Sequence, residues 1–196
     1  MIPALKRARL CILTIGLTYA ISVACGIIMV HSGNEFALHY RDSLVSRASA
    51  TAPAARALNG GDKVKAALFD FTGNLFLGAV PGTISGLGII FPYPLSAFRG
   101  WVGGIVSVDG NHRSRLADSH ARNYYLGVLI LQLLPFSLTG GAGVYLGAAS
   151  YRSWRESRFR WSWKLPLPRG AILDVVWIYV LAIPLFLVAS LIEFLA

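Results

Sequence analysis

The side chains best able to do chemistry in this sequence interrupt long uncharged stretches. They are two acids, one base and two amides: Asp70, Asn74, Arg99, Gln132 and Glu193. If these stretches cross a membrane, a polar group within them is costly to bury and is a candidate functional residue by default. Such residues could line a path for an ion or a substrate, or they could hydrogen-bond neighbouring helices to one another.

Each of these side chains has a specific expected position. Asp70 and Asn74 open the second apolar block, and Gln132 lies within a later one, where its amide can bond across a helical bundle. Arg99 stands between two apolar runs, so it either snorkels to the cytoplasmic face or pairs with a buried carboxylate such as Asp70. Glu193 lies close to the last residue, and we expect it at the membrane interface.

Patterns for catalysis or metal binding are missing from the sequence. Ser85, in "PGTISGLG", does not form a nucleophile elbow, and no strand pattern precedes it. His112, Asp118 and His120 share one loop, which is the usual content of a solvated connection. "TGGAGVYLG" lacks the Lys-Ser/Thr pair of a phosphate-binding loop. We therefore predict no catalytic residue, no metal site, no cofactor and no enzymatic activity.

The composition indicates a membrane protein. Charged residues make up 14% of the chain and hydrophobic residues 55%, whereas an ordinary soluble domain is about 25% charged. The uncharged runs are long, and roughly 20 apolar residues suffice for a helix to cross the hydrocarbon core. We predict a single all-α integral membrane domain over residues 1–196, a polytopic transmembrane helical bundle of about five spans. The predicted spans are 10–30, 66–81, 83–108, 124–150 and 171–195.

Two of these assignments have alternatives. Residues 66–108 form two short crossings, with a break either at Pro81-Gly82 or at Pro92 and Pro94. The first run extends well beyond the apolar core of a signal peptide, so a retained anchor is expected rather than a cleaved leader. Asp174, about one turn into the last span, is expected to reach the interface.

The distribution of Lys and Arg predicts the orientation. With five spans and a cytoplasmic N terminus, nine basic residues fall inside and eight outside, and those close to the spans are denser inside. The polar segment 31–65 is then extracytoplasmic and the loop 151–170 is cytoplasmic. Segment 31–65 is expected to form one or two short surface helices, with a turn at Gly60-Gly61.

Glycine recurs every fourth residue from Gly78 to Gly86 and again in the predicted span 124–150. Small residues at this spacing let helix backbones approach closely in lipid, where no hydrophobic force drives association. The predicted helix-packing residues are Gly78, Gly82, Gly86, Gly143 and Gly147. Packing within one chain and an interface between copies of the chain both fit this pattern.

The loop 151–170 interleaves cations with aromatic rings, a pattern that also suits single-stranded nucleic acid. Between two strong spans, the rings lie at headgroup depth and the cations meet anionic lipid, which is a membrane-interface anchor. The predicted anchor residues are Trp154, Arg155, Arg158, Arg160, Trp161, Trp163 and Lys164. We expect the loop to bind the lipid bilayer and not nucleic acid, and a further role in docking a cytoplasmic partner is left open.

With the spans placed, the chain resembles the stage II sporulation protein M family of bacterial and archaeal membrane proteins. The similar features are an N-terminal anchor ending in "GIIMV", the segment "LFDFTGNLFLGAVPGTISGLG" around Asn74, "FRGWVGGIV", "LLPFSLTGGAGVYLGAA" and "VASLIEFLA". The chain departs from the family in two places. Arg99 stands where Asn is usual, and Phe136 and Ser137 replace a His-Gly that follows Leu-Pro in many members.

The resemblance implies a function without catalysis. The member that gives the family its name is a membrane partner of peptidoglycan-degrading enzymes in spore formers. By this resemblance we expect a multi-pass scaffold or complex subunit in the cell inner (plasma) membrane. Its partners would be other membrane or envelope proteins, or further copies of the chain. The alternatives are a small membrane transporter or channel component and, more remotely, an intramembrane hydrolase.

Overall fold

The computed structural model describes residues 1–156 and 166–195, and the regular structure in these ranges is helical, which confirms the all-α prediction. The elements in chain order are α1 (Ile2–His31), α2 (Glu35–Thr51), α3 (Pro53–Asn59), α4 (Lys63–Thr72), a π-helical segment (Gly73–Ala79), α5 (Val80–Ser85), a 3₁₀ turn (Gly86–Gly88), α6 (Pro92–Ile105), α7 (Ser119–Glu156) and α8 (Arg169–Leu195).

Three helices in the described ranges are long and apolar enough to cross a membrane: α1, α7 and α8. This is fewer than the five or so predicted spans. Residues 66–81 and 83–108 belong instead to a helical hairpin made of shorter pieces. Its first arm is α4, the π-helical segment, α5 and the 3₁₀ turn, and its second arm is α6.

The first arm changes helix type because of Pro81. Proline lacks the N–H that would bond to the carbonyl of the residue four positions earlier, and its ring crowds that carbonyl. The chain accommodates this by widening into the π-helical segment directly before α5, where the Val80 N–H bonds to the Leu75 carbonyl, five residues back. Pro81-Gly82 therefore lies inside the arm and does not end it.

The hairpin turns between Gly88 and Pro92, at the second of the two candidate breaks. Ile89 has a positive φ of 58°, a strained conformation for a β-branched residue. The Ile89 N–H bonds to the Gly86 carbonyl at 2.8 Å, and α6 then begins at Pro92. Proline suits the first turn of a helix, where its missing N–H would have no partner.

The second arm packs along α1 and runs parallel to it. The Ser96 hydroxyl bonds to the Ile15 carbonyl, and a Cβ on Gly26 would lie 2.5 Å from the carbonyl oxygen of Trp101. Glycines at 100 and 104 face the α1 backbone in the same way. These small residues let the two helices approach backbone to backbone.

The remaining long helices alternate in direction. α7 runs antiparallel to α1, since Gly141 lies against Ile12 and Ser137 against Gly16, whereas α8 runs parallel to α1 and carries Asp174 beside Arg7. We call the end of the bundle that holds Arg7, Tyr145 and Asp174 the proximal end. The opposite end, which holds Val30, Lys63 and Tyr124, is the distal end.

The buried core lies where α1, the π-helical segment, α7 and α8 meet. Its largest side chains are Phe186 and Ile178, and small residues such as Ala8 and Ala142 fill the rest. A smaller distal cluster joins Val30 to Ile105. Outward-facing side chains are apolar and exposed, as on a surface that contacts lipid.

Short helices α2 and α3 occupy the segment 31–65. Asn34 caps α2 by accepting a hydrogen bond from the Ala37 N–H at 3.0 Å, and Pro53 opens α3. The chain turns at Gly60-Gly61, as the sequence predicts, with Gly61 at φ 83°. Asp62 then caps α4 by accepting from the Lys65 N–H at 2.9 Å.

Candidate functional site

Asp70 joins the first arm of the hairpin to α8. It lies on the same helical face as Asn74, whose Nδ2 donates to Asp70 Oδ2 at 2.8 Å. The Ser190 hydroxyl donates to the same oxygen at 2.7 Å. Ser190 is 1% exposed, so Asp70 is bonded across the helix contact. The sequence analysis singled out Asp70 and Asn74 but missed Ser190, which is unremarkable in an apolar helix.

Glu193 and Gln132 connect α8 to α7 near the distal end. Gln132 Nε2 donates to Glu193 Oε2 at 2.8 Å, so the amide bonds across the bundle. The Tyr124 hydroxyl donates to the backbone carbonyl of Glu193. Glu193 is half-buried and engaged by a neighbouring helix.

Arg99 does not pair with Asp70, which was one of its two predicted positions. Its guanidinium lies over the ring of Phe136, 4.1 Å from the centroid. Asp70 takes its hydrogen bonds from Asn74 and Ser190 instead. The register of α6 on α1 places Arg99 beside Tyr19, midway along the apolar run of α1 and away from both of its ends. Within residues 1–156 and 166–195, Arg99 forms no salt bridge and donates no hydrogen bond.

A polar cluster at the proximal end was missed in the sequence. Arg7 Nε donates to Asp174 Oδ2 at 2.6 Å, and Arg7 Nη2 donates to the other carboxylate oxygen. The Tyr145 hydroxyl donates to Asp174 Oδ2 at 2.8 Å. Asp174, expected at the interface, is 3% exposed. The available signal was an acid within the last apolar run and a cation just before the first.

Between these clusters lies a hydroxyl group inside the bundle. Thr83 Oγ1 donates to the Thr139 carbonyl at 2.9 Å and lies 2.7 Å from the Tyr179 hydroxyl. Thr83 and Thr139 are both buried. Single threonines in an apolar helix carry no sequence signal for such a contact.

Four of the five predicted packing glycines lie at close helix contacts. A Cβ on Gly143 would lie 2.5 Å from the Thr83 carbonyl oxygen, and a Cβ on Gly86 or Gly147 would overlap the facing backbone. Gly78 makes room for the Phe136 ring and the Arg99 guanidinium. Gly82 has nothing within 4 Å, so it contributes no close packing in this chain.

Two cavities open beside the polar side chains described above. One, of about 450 Å³, is lined near the distal end by Lys63, Arg115, Gln132 and Glu193, together with apolar side chains of α7. The other, of about 360 Å³, is lined by Arg99, Asn74 and Phe136 among apolar residues. Gly103, Val106 and Gln132 line both, so the cavities adjoin.

The distal surface carries the histidines that contact other residues. His31 Nε2 lies 2.7 Å from the Ser114 hydroxyl, and His112 Nε2 lies 2.8 Å from Asp42 Oδ2. Hydrogen bonds from Arg41 and His112 hold the pKa of Asp42 below its usual value. These contacts tie the loop before α7 to α1 and α2. No group of three or more metal-ligating side chains occurs in the part of the chain that the structure describes.

The predicted interface anchor is described only in part. Trp154 and Arg155 lie in the last turn of α7 with their side chains exposed, and the Tyr151 and Trp154 rings are 6.0 Å apart. The other predicted anchor residues lie outside the described residues: Arg158, Arg160, Trp161, Trp163 and Lys164.

Comparisons with known proteins bear on none of these residues. The resemblance to the stage II sporulation protein M family stays a prediction. The sequence matches no protein-family model, and neither a curated protein nor a solved structure matches it.

Proposed function

We propose that the chain is a non-enzymatic integral membrane scaffold or complex subunit. The observation that carries this proposal is how the carboxylates within the helices are used. Asp70, Asp174 and Glu193 each accept hydrogen bonds from another helix. Their oxygens therefore join helices, which gives the bundle a fixed surface that a partner can recognise.

We also propose five crossings of the cell inner (plasma) membrane, with the N terminus in the cytoplasm. The supporting observation is the register of the hairpin. α6 follows α1 from Ile15 to Val30, so the turn before Pro92 lies level with the start of the apolar run of α1. The first arm extends from Lys63 to Gly88, roughly 40 Å at about 1.5 Å per residue. Both arms are then long enough to reach across most of the hydrocarbon core.

The resemblance to the stage II sporulation protein M family suggests the kind of partner. We propose membrane or envelope proteins, including peptidoglycan-remodelling machinery, with self-association as the other outcome. Apolar side chains on the outer faces of α1 and α8 offer a surface for helix contacts within the membrane; Leu17 and Trp177 are among them, 59% and 49% exposed.

A small transporter or channel component is the second candidate. The observation that favours it is the pair of adjoining cavities, because Gln132 lines both and Arg99 lines one of them. In this role the cavities would admit a substrate, and the polar side chains would be needed for its passage.

One set of variants separates the two functions. The variants are Asp70→Asn, Gln132→Leu and Gly86→Ala, with Gly82→Ala as the matched control because Gly82 has open space around it. Each is tagged, cross-linked in native membranes and captured, and the masses of the complexes are measured. The purified proteins are also reconstituted into vesicles for flux assays with a panel of ions and small solutes.

The scaffold proposal expects Asp70→Asn and Gln132→Leu to keep the native complexes, because each weakens one of several hydrogen bonds between helices. It expects Gly86→Ala to lose them, because the new methyl group would displace the backbone of α7. It also expects every variant to give the flux of empty vesicles. Flux in the wild type that Asp70→Asn or Gln132→Leu abolishes would establish the transporter instead. Recovery of the wild type only as a monomer without flux would contradict both proposals.

A further inference from the structure

The two arms of the hairpin diverge and leave a gap that contains Arg99. The second arm lies on α1, whereas the first arm lies on α7 and α8, as the contacts of Ser96 with Ile15 and of Thr83 with Tyr179 show. Gly78 of the first arm faces the gap, and a Cβ there would lie 3.1 Å from Arg99 Nη2. The missing side chain thus provides the space that the guanidinium occupies.

Arg99 has no counter-ion among the described residues. Two carboxylates within the described helices are bonded elsewhere: Asp70 to Asn74 and Ser190, and Glu193 to Gln132. A guanidinium has five N–H donors, and none is used on any described residue. Stacking on Phe136 offsets part of the cost of burying the guanidinium. The stacking uses only the face of the guanidinium, so the N–H donors at its edge remain available.

The surrounding cavity suits a molecule that is mostly apolar and has one acidic group. Its volume of about 360 Å³ lies within the usual range of ligand sites, about 300–1,000 Å³. Leu77 and Phe98 line it and are 82% and 50% exposed, so its rim is apolar and faces outward. A hydrated inorganic anion would have to shed its water to pass such a rim, whereas an amphiphile enters with its chain in contact with lipid.

Two amide groups at the cavity can donate hydrogen bonds to the same acidic group as Arg99. Asn74 uses its Nδ2 group on Asp70, and Gln132 uses its Nε2 group on Glu193. Each primary amide has two N–H donors, so one remains on each for an anionic oxygen. One cation and two amide donors around an apolar cavity are complementary to a single acidic headgroup.

We propose that the cavity around Arg99 binds an anionic amphiphile. Its carboxylate or phosphate group accepts hydrogen bonds from Arg99, and its hydrocarbon chain leaves between the two hairpin arms past Leu77 and Phe98. A free fatty acid and an anionic phospholipid share this chemistry. The site is independent of whether the chain acts as a scaffold or a transporter.

Binding is tested on the full-length protein in neutral detergent by native mass spectrometry. The probes are oleate against oleyl alcohol, and dioleoylphosphatidylglycerol against dioleoylphosphatidylcholine, so that each pair differs in charge but not in chain. We expect the wild type to bind at least one acidic probe about tenfold more tightly than its neutral partner, a difference of about 1.4 kcal/mol. Preference for oleate alone identifies a fatty acid, and preference for the phosphatidylglycerol alone identifies a phospholipid.

The variant Arg99→Gln removes the cation and should abolish the preference for the acidic probe. Arg115→Gln is the matched control, because Arg115 lines the adjoining cavity but not this one. It should keep the preference within about twofold, since a substitution at an independent site changes another interaction by no more than about 0.5 kcal/mol. Equal affinity of the wild type for acidic and neutral probes, or an unchanged preference in Arg99→Gln, would overturn the proposal.

A second measurement needs only the wild type and therefore does not depend on the variant's folding. A diazirine-labelled oleate is photo-cross-linked to the protein, and the adducts are mapped by peptide mass spectrometry. Adducts at Leu77, Phe98 or Val102, reduced by excess oleate but not by oleyl alcohol, are expected. Adducts distributed evenly over the exposed faces of α1 and α8 would contradict the site.

Discussion

Arg7 and Asp174 are 167 positions apart in the chain and form a two-pronged ion pair that joins α1 to α8 at the proximal end. The Arg7 side chain is 55% exposed and the Asp174 side chain 4%. The carboxylate is therefore enclosed while the cation remains at the surface. Tyr145 of α7 donates to the same carboxylate, so three helices meet at one acidic group.

Asp174→Asn should destabilise the bundle by about 1–3 kcal/mol, since hydrogen bonds to charged groups contribute about that much. Arg7→Lys keeps the charge but loses the planar fork, so it should cost less than Asp174→Asn. Unfolding free energies in detergent micelles measure both. If the double variant costs the sum of the two single variants, the residues do not interact in solution.

Gly86→Ala should be strongly destabilising because the new methyl would overlap the α7 backbone at Gly143. Overpacking of this kind costs about 1–3 kcal/mol. Gly82→Ala should be neutral or slightly stabilising, because its surroundings are open and alanine is the better helix former. Thermal unfolding in micelles compares the two, and equal melting temperatures would contradict the close contact between Gly86 and Gly143.

The different roles of Gly82 and Gly86 show how far spacing alone can predict packing. Both belong to the same four-residue repeat, and the repeat correctly indicates a small-residue face. Which members touch a neighbour depends on how the helix is wound. Gly78 lies in the π-helical segment, Gly82 in α5 and Gly86 in the 3₁₀ turn, and each change of winding shifts the face of the residues that follow by a fraction of a turn. That shift has no signal in a pattern of glycines four apart.

The polar contacts were likewise predictable from the sequence only in part. Asp70, Gln132 and Glu193 were recognisable from the sequence because an acid or amide in an apolar run needs a partner. Two of their partners were harder to find, Ser190 for Asp70 and Tyr124 for the Glu193 carbonyl, because small and amphipathic groups are common in membrane helices. Pairing with Asp70 was one of two positions expected for Arg99, and the divergence of the hairpin arms, a tertiary feature, leaves the two residues unpaired.

Asp42 should make the anchoring of the loop before α7 dependent on pH. Its pKa in the folded chain is lowered by Arg41 and His112. A lowered pKa means that the contact stabilises the fold above the ordinary value of 3.8 and is lost as the pH falls through the lower folded value. We expect strong amide protection over residues 109–114 at pH 6 and less at pH values well below 3.8.

Hydrogen exchange, corrected for intrinsic rates, measures this loop directly. Asp42→Asn should reduce its protection at pH 6 part of the way to the level that the wild type has in acid, because Asp109 still accepts from the Asn111 and Arg113 N–H groups at that pH. Glu35→Gln, another acidic position on α2, is the control and should leave the loop unchanged. Equal protection of the wild type and Asp42→Asn at pH 6 would contradict the role of Asp42 and leave Asp109 as the source of the pH dependence.

The basic residues at and after the end of α7 should determine the orientation of the whole chain. Arg155 in the last turn of α7 lies at the proximal end with the cations in the first turns of α1, and a Lys and Arg bias close to the spans should hold that end in the cytoplasm. Three are replaced by glutamine: Arg155, Arg158 and Arg160. This variant should invert or mix the topology. A matched variant with the same change at three distal positions, Arg47, Arg56 and Lys63, should keep it.

Cysteine accessibility in intact cells and inverted vesicles measures the orientation, with Cys11 and Cys25 first replaced by alanine and reporter cysteines placed at Gly33 and Gly170. In the wild-type orientation the reporter cysteine at position 33 reacts from outside and the one at position 170 reacts from the cytoplasm. Each cation beside an anionic leaflet contributes about 1 kcal/mol, so losing three removes enough bias to let both orientations form. If the orientation survives and a cytoplasmic binding partner is lost instead, these arginines serve docking, and the charge in the first turns of α1 is sufficient to orient the bundle.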